Sequence, residues 1–331
     1  MSWNGRKVLV TGAGGFIGSH LTEELVRQGA KTRAMVRYNS RSDWGQLSLL
    51  PADVQNELDV RLGDIADPWS VEDAMDGVDY VFHLAALIAI PYSYVAPASY
   101  VDVNIKGTIN VLQAARRFGT KRIVHTSTSE TYGTAIYTPI DEEHPMQGQS
   151  PYSASKIGAD KLAESYYRSF DTPVATIRPF NTYGPRQSAR AVIPTVISQA
   201  LAGLPELKLG ALDPVRDLNY VRDTVSGFLA VAESDDCLGV VTNVGHGKGV
   251  TIGDLAQKIL DLCGRGDMPI VTDQQRIRPG KSEVFELICA NAKAKERCGW
   301  EPQWSLEDGL KETIEYVRDH LDQYRPKEYA V

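Results

Sequence analysis

The 331-residue sequence predicts an α/β protein, in which a doubly wound parallel sheet is followed by a smaller C-terminal lobe. Up to about residue 180, short apolar runs alternate with segments of helical periodicity. The runs are continuously apolar, which is typical of strands that are buried on both faces of a parallel sheet. Beyond that point the alternation breaks down, beginning at Gly184-Pro185. We therefore expect a first domain over residues 1–180 and a second lobe over residues 181–331.

Strands and helices can be assigned in order along the chain. Apolar runs predict strands at residues 7–11, 32–36, a third ending near 63, 79–84, 122–126 and 174–178. Helical spacing predicts helices at residues 16–28, 101–118, 152–170, 251–262 and 305–324. Gly29 and Gly119 suit the ends of the first two helices, and Thr251 and Ser305 suit the N-caps of the last two. Residues 215–235, a short strand entering an apolar helix, are expected to pack back on the first domain.

Composition and charge exclude several classes of protein. The net charge of -7 does not favour nucleic-acid binding, which requires a basic surface. The four cysteines are widely spaced and predict neither a zinc site nor a disulfide framework, so no metal is expected and the reduced cytoplasm is the expected compartment. The longest apolar stretch, residues 81–90, is well short of the ~20 residues of a membrane span, so no membrane association is expected.

A glycine-rich loop joins the first predicted strand to the first predicted helix. Its spacing is G-x-x-G-x-x-G through Gly12, Gly15 and Gly18, with Phe16 and Ile17 between the last two. Glycines let the backbone approach a pyrophosphate, whose charge then lies on the amides of the helix N-terminus. This strand-loop-helix unit predicts a dinucleotide site, with NAD or NADP tightly bound.

The end of the second strand usually distinguishes NAD from NADP. An acidic residue there binds the ribose hydroxyls, whereas an arginine accepts a 2′-phosphate. Here Arg37 follows the strand and no acidic residue occurs before Asp43, which slightly favours NADP. Alternatively, Arg37 stacks on the adenine or is only solvated. Further candidate cofactor contacts follow the third and fourth strands, namely Asp64, Ile65, Ala85 and Ala86.

Tyr152 and Lys156 form the most informative pair in the sequence. Four residues apart on a helix, they share one face, and the positive charge of the lysine is expected to lower the pKa of the tyrosine. Such a tyrosine is a base for alcohol oxidation. Glu130, upstream, is not required for hydride transfer alone and suggests that a second proton is taken from the substrate.

With Gly12, Gly15, Gly18, Thr128, Tyr152 and Lys156 in this order, the sequence resembles the extended short-chain dehydrogenase/reductases, the NAD-dependent epimerase/dehydratase family that modifies nucleotide sugars on a Rossmann domain. The resemblance implies that Tyr152 is the base on the sugar 4-hydroxyl, that Lys156 holds the nicotinamide ribose and that Thr128 shares the hydrogen bond of the hydroxyl. Asn104 and His83 lie where the family contacts cofactor or scaffold, and for His83 we favour a structural role at the end of a strand.

Glu130 distinguishes between members of that family. The C4-epimerases typically have a small residue at this position, whereas the 4,6-dehydratases have Asp-Glu at the positions of Ser129 and Glu130. In a dehydratase the carboxylate removes the C5 proton once C4 is a ketone, water leaves from C6, and hydride returns to C6. Ser129 departs from the family's Asp, so either Glu130 acts twice or the reaction is a different one. Uronate decarboxylases also have Thr-Ser-Glu here.

The flanking runs 38–45, 147–160 and 178–186 resemble nucleotide-aminosugar 4,6-dehydratases of the legionaminic-acid type. The resemblance implies UDP- or GDP-N-acetylglucosamine as the substrate and a homodimer formed through the helices at 101–118 and 152–170. It also implies that the C-terminal lobe binds the nucleotide sugar through Asn181, Val192, Arg216 and Arg278. A C4-epimerase, a uronate decarboxylase and a non-catalytic dinucleotide-sensing regulator are the alternatives.

Overall fold

The computed structural model describes residues 2–277 and 279–328. Its elements up to residue 183 are β1 (Lys7–Thr11), α1 (Phe16–Arg27), β2 (Lys31–Val36), α2 (Ala52–Asn56), β3 (Asp59–Leu62), α3 (Pro68–Met75), β4 (Tyr80–His83), α4 (Ile90–Val95), α5 (Pro97–Tyr100), α6 (Gly107–Phe118), β5 (Arg122–Thr126), α7 (Pro151–Phe170), β6 (Val174–Pro179) and β7 (Asn181–Tyr183). The later elements are α8 (Val192–Leu201), β8 (Leu207–Leu209), β9 (Val215–Tyr220), α9 (Val221–Glu233), β10 (Val241–Val244), β11 (Gly249–Thr251), α10 (Ile252–Leu262), β12 (Ile270–Thr272), β13 (Glu286–Leu287), α11 (Ala292–Cys298) and α12 (Leu306–Asp319).

Seven strands of the described residues form one sheet, in the order β10-β6-β5-β4-β1-β2-β3, and every neighbouring pair is parallel. In this register Thr11, the last residue of β1, lies beside both Met35 and His83. The α/β class and the doubly wound parallel sheet predicted from the sequence are confirmed.

Helices cover both faces of this sheet, which explains why its strands are continuously apolar. Val8 and Val10 point into a core shared with Leu21 of α1 and Phe228 of α9. Leu9, between them, points into a second core that is shared with Val111 of α6 and other side chains of α3 and α7. Complete burial of such a side chain contributes about 1.5–3 kcal/mol to the stability of the fold. Because both faces of the sheet are covered, side chains that point in either direction are buried, and the strand is apolar along its whole length.

The chain returns to the main sheet after residue 180. Strand β10 pairs with β6, and α9 packs on β5, β6 and α1. The division at residue 180 stays a prediction, and the structure adds that the seventh strand comes from the later segment. Elsewhere in this segment β9 pairs with β7, β11 and β13, β8 pairs with β12, and α8 packs against α10 and α12.

Local capping patterns place most helix ends correctly. The Thr251 hydroxyl accepts a hydrogen bond from the Asp254 amide at 3.0 Å, and the Ser305 hydroxyl accepts one from the Asp308 amide at 3.1 Å. Gly119 ends α6 with a φ of 65°, a conformation that suits glycine. The helix predicted at 101–118 differs only at its beginning, where residues Val101–Lys106 form a π-helical turn.

The helix predicted at 305–324 is too long at its C-terminal end, since α12 stops at Asp319. The cause is a local side-chain interaction. His320 Nδ1 lies 2.9 Å from the Tyr316 carbonyl oxygen, to which it donates, and the two rings stack at 4.2 Å. This carbonyl would otherwise accept the backbone N–H of residue 320, so the side chain replaces the next helical hydrogen bond.

The described residues, 2–277 and 279–328, include no helix that is both long enough and apolar enough to cross a bilayer. In the same residues there is no group of three or more His, Cys, Asp or Glu side chains placed to hold a metal ion. Cys237, Cys263, Cys289 and Cys298 are free thiols.

The first turn of α1 packs tightly on the glycine loop. A Cβ atom at Gly18 would collide with the Gly12 carbonyl oxygen, which is backbone and cannot move aside as a flexible side chain would. We predict that Gly18→Ala lowers the free energy of unfolding by about 1–3 kcal/mol, although alanine is ordinarily about 1 kcal/mol better than glycine in a helix. Urea denaturation followed by circular dichroism measures this change.

Gly253 provides the matched control, because it also lies in the first turn of a helix but its nearest potential contact is Leu212 Cβ at 3.6 Å. Gly253→Ala is expected to leave stability unchanged or slightly increased. A Gly18→Ala protein that is as stable as the Gly253→Ala protein would show that the packing of α1 on the loop is not tight.

Candidate active site

A cavity of about 720 Å³ opens at the carboxyl edge of the sheet. Its walls come from the segments that follow β1, β2, β4, β5 and β6, together with the N-terminal part of α7. In a parallel sheet of this order, the crevice beside β1 and β4 is where the chain crosses to opposite faces and where ligands bind. The cavity therefore lies where the sheet topology predicts a ligand site.

The glycine loop forms one end of the cavity through Gly12, Gly15, Phe16 and Ile17. Gly12 has a φ of 70°, and a Cβ there would lie 2.8 Å from the Ala85 amide nitrogen, so only glycine fits. Gly15 caps α1 without any side-chain hydrogen bond to the first turn. Because the first amides of a helix have no partner within the helix, those of α1 are available to an anion, and they fit the pyrophosphate of a dinucleotide.

The loop after β2 also lines the cavity, through Arg37, Asn39, Asp43 and Trp44. Arg37 is exposed. Asp43, the first acidic residue after β2, was not predicted as a cofactor contact, but the loop turns back and brings it to the cavity. The Asn39 side-chain amide donates to the Asp43 carbonyl at 2.7 Å, and Asp43 Oδ1 accepts the Gly45 amide at 2.7 Å. An acidic residue, Asp43, and an arginine, Arg37, therefore both line this part of the cavity.

Some predicted cofactor contacts form the frame of the site instead. Ala86 lines the cavity, whereas Gly18, Asp64, Ile65 and Ala85 are not among its described lining residues. The Asp64 carboxylate accepts the Ala66 amide at 2.9 Å, and Ile65 is buried against Gly107. These side chains stabilise the turns that shape the cavity.

Asn104 and His83 are buried behind the cavity wall. Asn104 forms two hydrogen bonds with the backbone of Leu87, at 2.8 and 3.0 Å, and donates to the Ser155 hydroxyl at 2.9 Å, so it ties the loop after β4 to α7. His83 contacts the hydroxyls of Thr11 and Thr108 at 2.9 and 3.1 Å. Burial holds the pKa of His83 well below its ordinary value, so the ring is neutral. The structural role that we favoured for His83 fits this geometry.

Tyr152, Lys156 and Thr128 line the part of the cavity formed by α7 and the segment after β5. Tyr152 and Lys156 project from one face of α7 and are buried, yet both line the cavity. Lys156 Nζ donates to the Thr126 carbonyl at 2.6 Å, at the end of β5. The Thr128 side chain lies close enough to the Tyr152 hydroxyl to lower its pKa. Ser150 and Ser153 form a capping box that fixes the start of α7 and hence the position of Tyr152.

The predicted direction of the Tyr152 pKa is wrong for the free protein. Burial raises the pKa of Tyr152 well above its ordinary value; the hydrogen bond with Thr128 lowers it in part, and the negative charge of Glu130 raises it again. Burial also lowers the pKa of Lys156, to about 8. Sequence reasoning considered only the charge of the neighbouring lysine and not the desolvation of both groups, which disfavours phenolate and ammonium alike.

Ser129 and Glu130 lie in a short 3₁₀ turn, Ser129–Tyr132, directly after β5. The Thr128 hydroxyl caps this turn by accepting the Glu130 amide at 3.3 Å. Both side chains line the cavity; Ser129 is buried and Glu130 is half-buried. The turn thus brings a carboxylate into the chamber that also holds Tyr152.

The later segment contributes Asn181, in β7, to the cavity. Val192, the first residue of α8, and Arg216 in β9 are not among the described lining residues. Arg216 is buried, and its guanidinium donates to the Val215 carbonyl at 3.0 Å and to Glu283 at 3.3 Å. Arg278 lies outside the described residues.

Sequence analysis missed a buried charge cluster beneath Lys156. Asp160 Oδ1 accepts a hydrogen bond from His125 Nε2 at 3.0 Å, and Oδ2 accepts one from the Ser127 hydroxyl at 2.5 Å and one from Arg178 at 2.8 Å. Asp160 follows Lys156 by one helical turn, so a carboxylate on the face of Tyr152 and Lys156 was visible in the sequence. Its partner Arg178 was not, because no local pattern joins a helix residue to a residue on β6.

Comparison with known proteins agrees with this geometry. Residues 9–313 match the family model described as GDP-mannose 4,6 dehydratase. The chain is 34% identical over 323 residues to a dTDP-glucose 4,6-dehydratase of Streptomyces antibioticus, which covers 96% of this chain and 94% of the relative.

Two solved structures are similar over nearly the whole chain. A UDP-glucose 4-epimerase from Thermotoga maritima with UDP-glucose superposes with a TM-score of 0.86 at 31% identity, covering 95% of this chain and 99% of that one. A double mutant of the dTDP-glucose 4,6-dehydratase from Streptomyces venezuelae with NAD bound superposes with a TM-score of 0.85 at 28% identity, covering 96% and 98%. The chain therefore belongs to the NAD-dependent epimerase/dehydratase family of extended short-chain dehydrogenase/reductases, the enzymes that act on nucleotide sugars.

Proposed function

We propose that this protein is a nucleotide-sugar 4,6-dehydratase that converts UDP-N-acetylglucosamine, or its GDP counterpart, to the 4-keto-6-deoxy sugar. The observation that supports this most directly is the position of Glu130. Its carboxylate lines the same chamber as Tyr152 and is near enough for its charge to act on the Tyr152 hydroxyl. An epimerase, which removes and returns a hydride at C4, has no use for this second base.

The cofactor in this proposal is an NAD-type dinucleotide. Its pyrophosphate would lie on the first amides of α1, and its adenosine would lie beside Arg37 and Asp43. When bound, it accepts the C4 hydride and returns it to C6. The relatives with NAD bound give no support to the preference for NADP based on Arg37, and Asp43 offers the carboxylate that suits an unphosphorylated ribose.

Tyr152 would take the proton of the sugar 4-hydroxyl, since general-base transfer needs a group within hydrogen-bond reach. Thr128, whose side chain lies beside the Tyr152 hydroxyl, would share the hydrogen bond to the substrate oxygen. Lys156 would supply positive charge to a phenolate that burial otherwise disfavours. Its position is fixed by the Thr126 carbonyl.

Glu130 would remove the C5 proton after C4 has become a ketone. With a serine beside it, the same carboxyl group would then protonate the departing C6 oxygen, because a serine hydroxyl is a far weaker acid. Ser129 is buried in the turn and would at most orient that oxygen. Of the two possibilities that the sequence left open, this is the first, in which Glu130 acts twice.

The substrate of the proposed reaction is defined by its sugar and by its base. N-acetylglucosamine is favoured by the runs that resemble aminosugar dehydratases, whereas similarity to dTDP-glucose 4,6-dehydratases favours dTDP-glucose as the second candidate. Asn181 is well placed to contact the sugar. Contacts of Val192, Arg216 and Arg278 with the nucleotide, and a homodimer, are retained as proposals from the family resemblance.

Charge argues against a uronate substrate. Among the described residues that line the cavity, the cationic side chains are Arg37 and Lys156. Arg37 lies at the far end, and Lys156 is engaged with the Thr126 carbonyl. A uronate carboxylate would therefore find no cation placed to pair with it among the described lining residues. Uronate decarboxylases have the same Thr-Ser-Glu run, so the product assay decides between dehydration and decarboxylation.

Mass spectrometry of the products tests the function directly. We expect that the purified protein, incubated with UDP- and GDP-N-acetylglucosamine and dTDP-glucose in deuterated water, converts at least one of them to a product that has lost one water and gained deuterium at C5, without added reductant. A product of unchanged mass with an intact C6 hydroxyl would establish an epimerase. Carbon dioxide released from UDP-glucuronic acid would establish a decarboxylase. Tyr152→Phe is the inactive control.

Glu130→Gln should separate oxidation from dehydration. Loss of a general base is expected to lower the rate of water loss by about 10²–10⁴, while the 4-keto sugar that keeps its C6 hydroxyl still forms. Trapping with borodeuteride followed by mass spectrometry detects that ketone. If the variant dehydrates at the parental rate, Glu130 is not the C5 base.

Ser129→Ala tests whether Glu130 acts alone. If Glu130 serves first as base and then as acid, the variant should keep its dehydration rate within about tenfold, because loss of a true general acid costs about 10²–10⁴. Initial rates at saturating substrate measure the effect. A loss as large as that of Glu130→Gln would assign the C6 proton to Ser129 or to a group that it holds.

A further inference from the structure

We infer that Asp160 is a positioning residue that places a buried negative charge one helical turn from Lys156 and fixes the end of β5, from which the turn with Ser129 and Glu130 begins. The role of Lys156 in catalysis rests on the proposed function, but the arrangement of Asp160 does not. Tyr152, Lys156 and Asp160 follow one another at intervals of four residues on α7, so they share one buried face.

The carboxylate of Asp160 holds β5 on both sides of the atom that binds Lys156. His125 and Ser127 donate to it at 3.0 and 2.5 Å, and the carbonyl of Thr126, between them, accepts Lys156 Nζ at 2.6 Å. Thr128 and Glu130 follow directly in the chain. A single carboxylate thus fixes the position of β5 against α7. It thereby also fixes the positions of Thr128 and Glu130 relative to Tyr152.

Arg178 completes the cluster from β6. Its guanidinium donates to Asp160 at 2.8 Å and to the Ser127 hydroxyl at 3.0 Å, and it lies over the Tyr132 ring at 4.5 Å. Asp160 and Arg178 are each at most 5% exposed, so neither charge is screened by solvent. An unpaired charge in this place would cost several kcal/mol, which makes the two residues a unit.

The charge of Asp160 acts on Lys156 against desolvation. Burial lowers the pKa of Lys156 to about 8, and the opposing influence is the charge of Asp160. The ionisable groups on the elements packed around this cluster include His83 on β4, His125 on β5, Arg178 on β6, and Tyr152 on α7 with Glu130 facing it. Tyr132 lies against Arg178, and Glu142, His144 and Arg297 line a cavity together with Asp160 on its outer side. Burial lowers the pKa of both histidines, so they are neutral near pH 7 and cannot replace the carboxylate.

The titration of Lys156 itself tests this inference. In protein labelled with ¹³Cε-lysine, the Lys156 resonance can be assigned by its loss in Lys156→Arg and followed against pH without substrate. We expect a midpoint near 8 in the parent. In Asp160→Asn the midpoint should fall by about one unit, and in active protein the loss of activity on the alkaline side should move down with it.

The matched control is Glu164→Gln, which changes a half-buried carboxylate one turn further along α7 that pairs with Lys161 and Arg168. It should leave both the midpoint and the activity profile unchanged. A merely structural role for Asp160 would reduce activity or stability without moving the Lys156 midpoint, and that result would overturn the inference.

Asp160→Asn leaves Arg178 buried without its counter-charge and for that reason could fail to fold. The double variant Asp160→Asn/Arg178→Gln removes both charges, a replacement that is often tolerated where breaking the pair is not. It should fold, with a Lys156 midpoint below the parental one but above that of Asp160→Asn, because the loss of Arg178 removes a positive charge as well. A double variant that does not fold, or that keeps the parental midpoint, refutes the inference. Failure of the proposed dehydratase would instead appear in the product assay alone, with the titration shift intact.

Discussion

The direction of the strands is the constraint on which the rest of the molecule depends. Because all seven strands run the same way, their carboxyl ends meet at one edge, and residues far apart in sequence are brought together there. Thr11 at the end of β1 lies beside His83 at the end of β4, and His83 lies beside His125 near the end of β5. The glycine loop, the loop after β4 and the turn with Glu130 are therefore neighbours by topology, before any side chain makes a contact.

Burial then decides which charges the site can hold. Tyr152, Lys156 and Asp160 all lie on the inner face of α7, where an uncompensated charge is disfavoured by several kcal/mol. Neutral tyrosine and a lysine of lowered pKa are the expected result, and both are found. Ionised Asp160 is stable there because three donors surround its carboxylate. Buried Tyr152 by itself would stay neutral, so its action as the base of the proposed reaction depends on the charges placed around it.

Local patterns in the sequence predicted the parts of the fold that depend on neighbours in the chain. Strand β5 and the N-caps at Thr251 and Ser305 agree with the expectation, since capping and apolar runs are encoded within a few residues. Long-range pairing is not encoded in this way. Nothing in residues 241–244 distinguishes a seventh strand of the main sheet from a strand of the second lobe. Asp43 was missed because the hydrogen bonds of a turn, and not distance along the chain, bring it to the cavity.

Because Ser129 stands where the 4,6-dehydratases have an aspartate, Glu130 has to handle the protons at both C5 and the C6 oxygen in the proposed reaction. If Glu130 takes the C5 proton and gives it to the departing C6 oxygen, that proton leaves with the water and the carboxyl group is ionised again. C5 must later regain a hydrogen, so Glu130 has to acquire another proton while the site still holds the ketone, either from solvent or from Tyr152, which has taken the exchangeable proton of the sugar 4-hydroxyl. A fully buried carboxylate could not exchange quickly, whereas Glu130 is half-buried at the cavity wall. Its partial exposure allows one residue to act at C5 and at the C6 oxygen, and the hydrogen gained at C5 is one that exchanges with solvent.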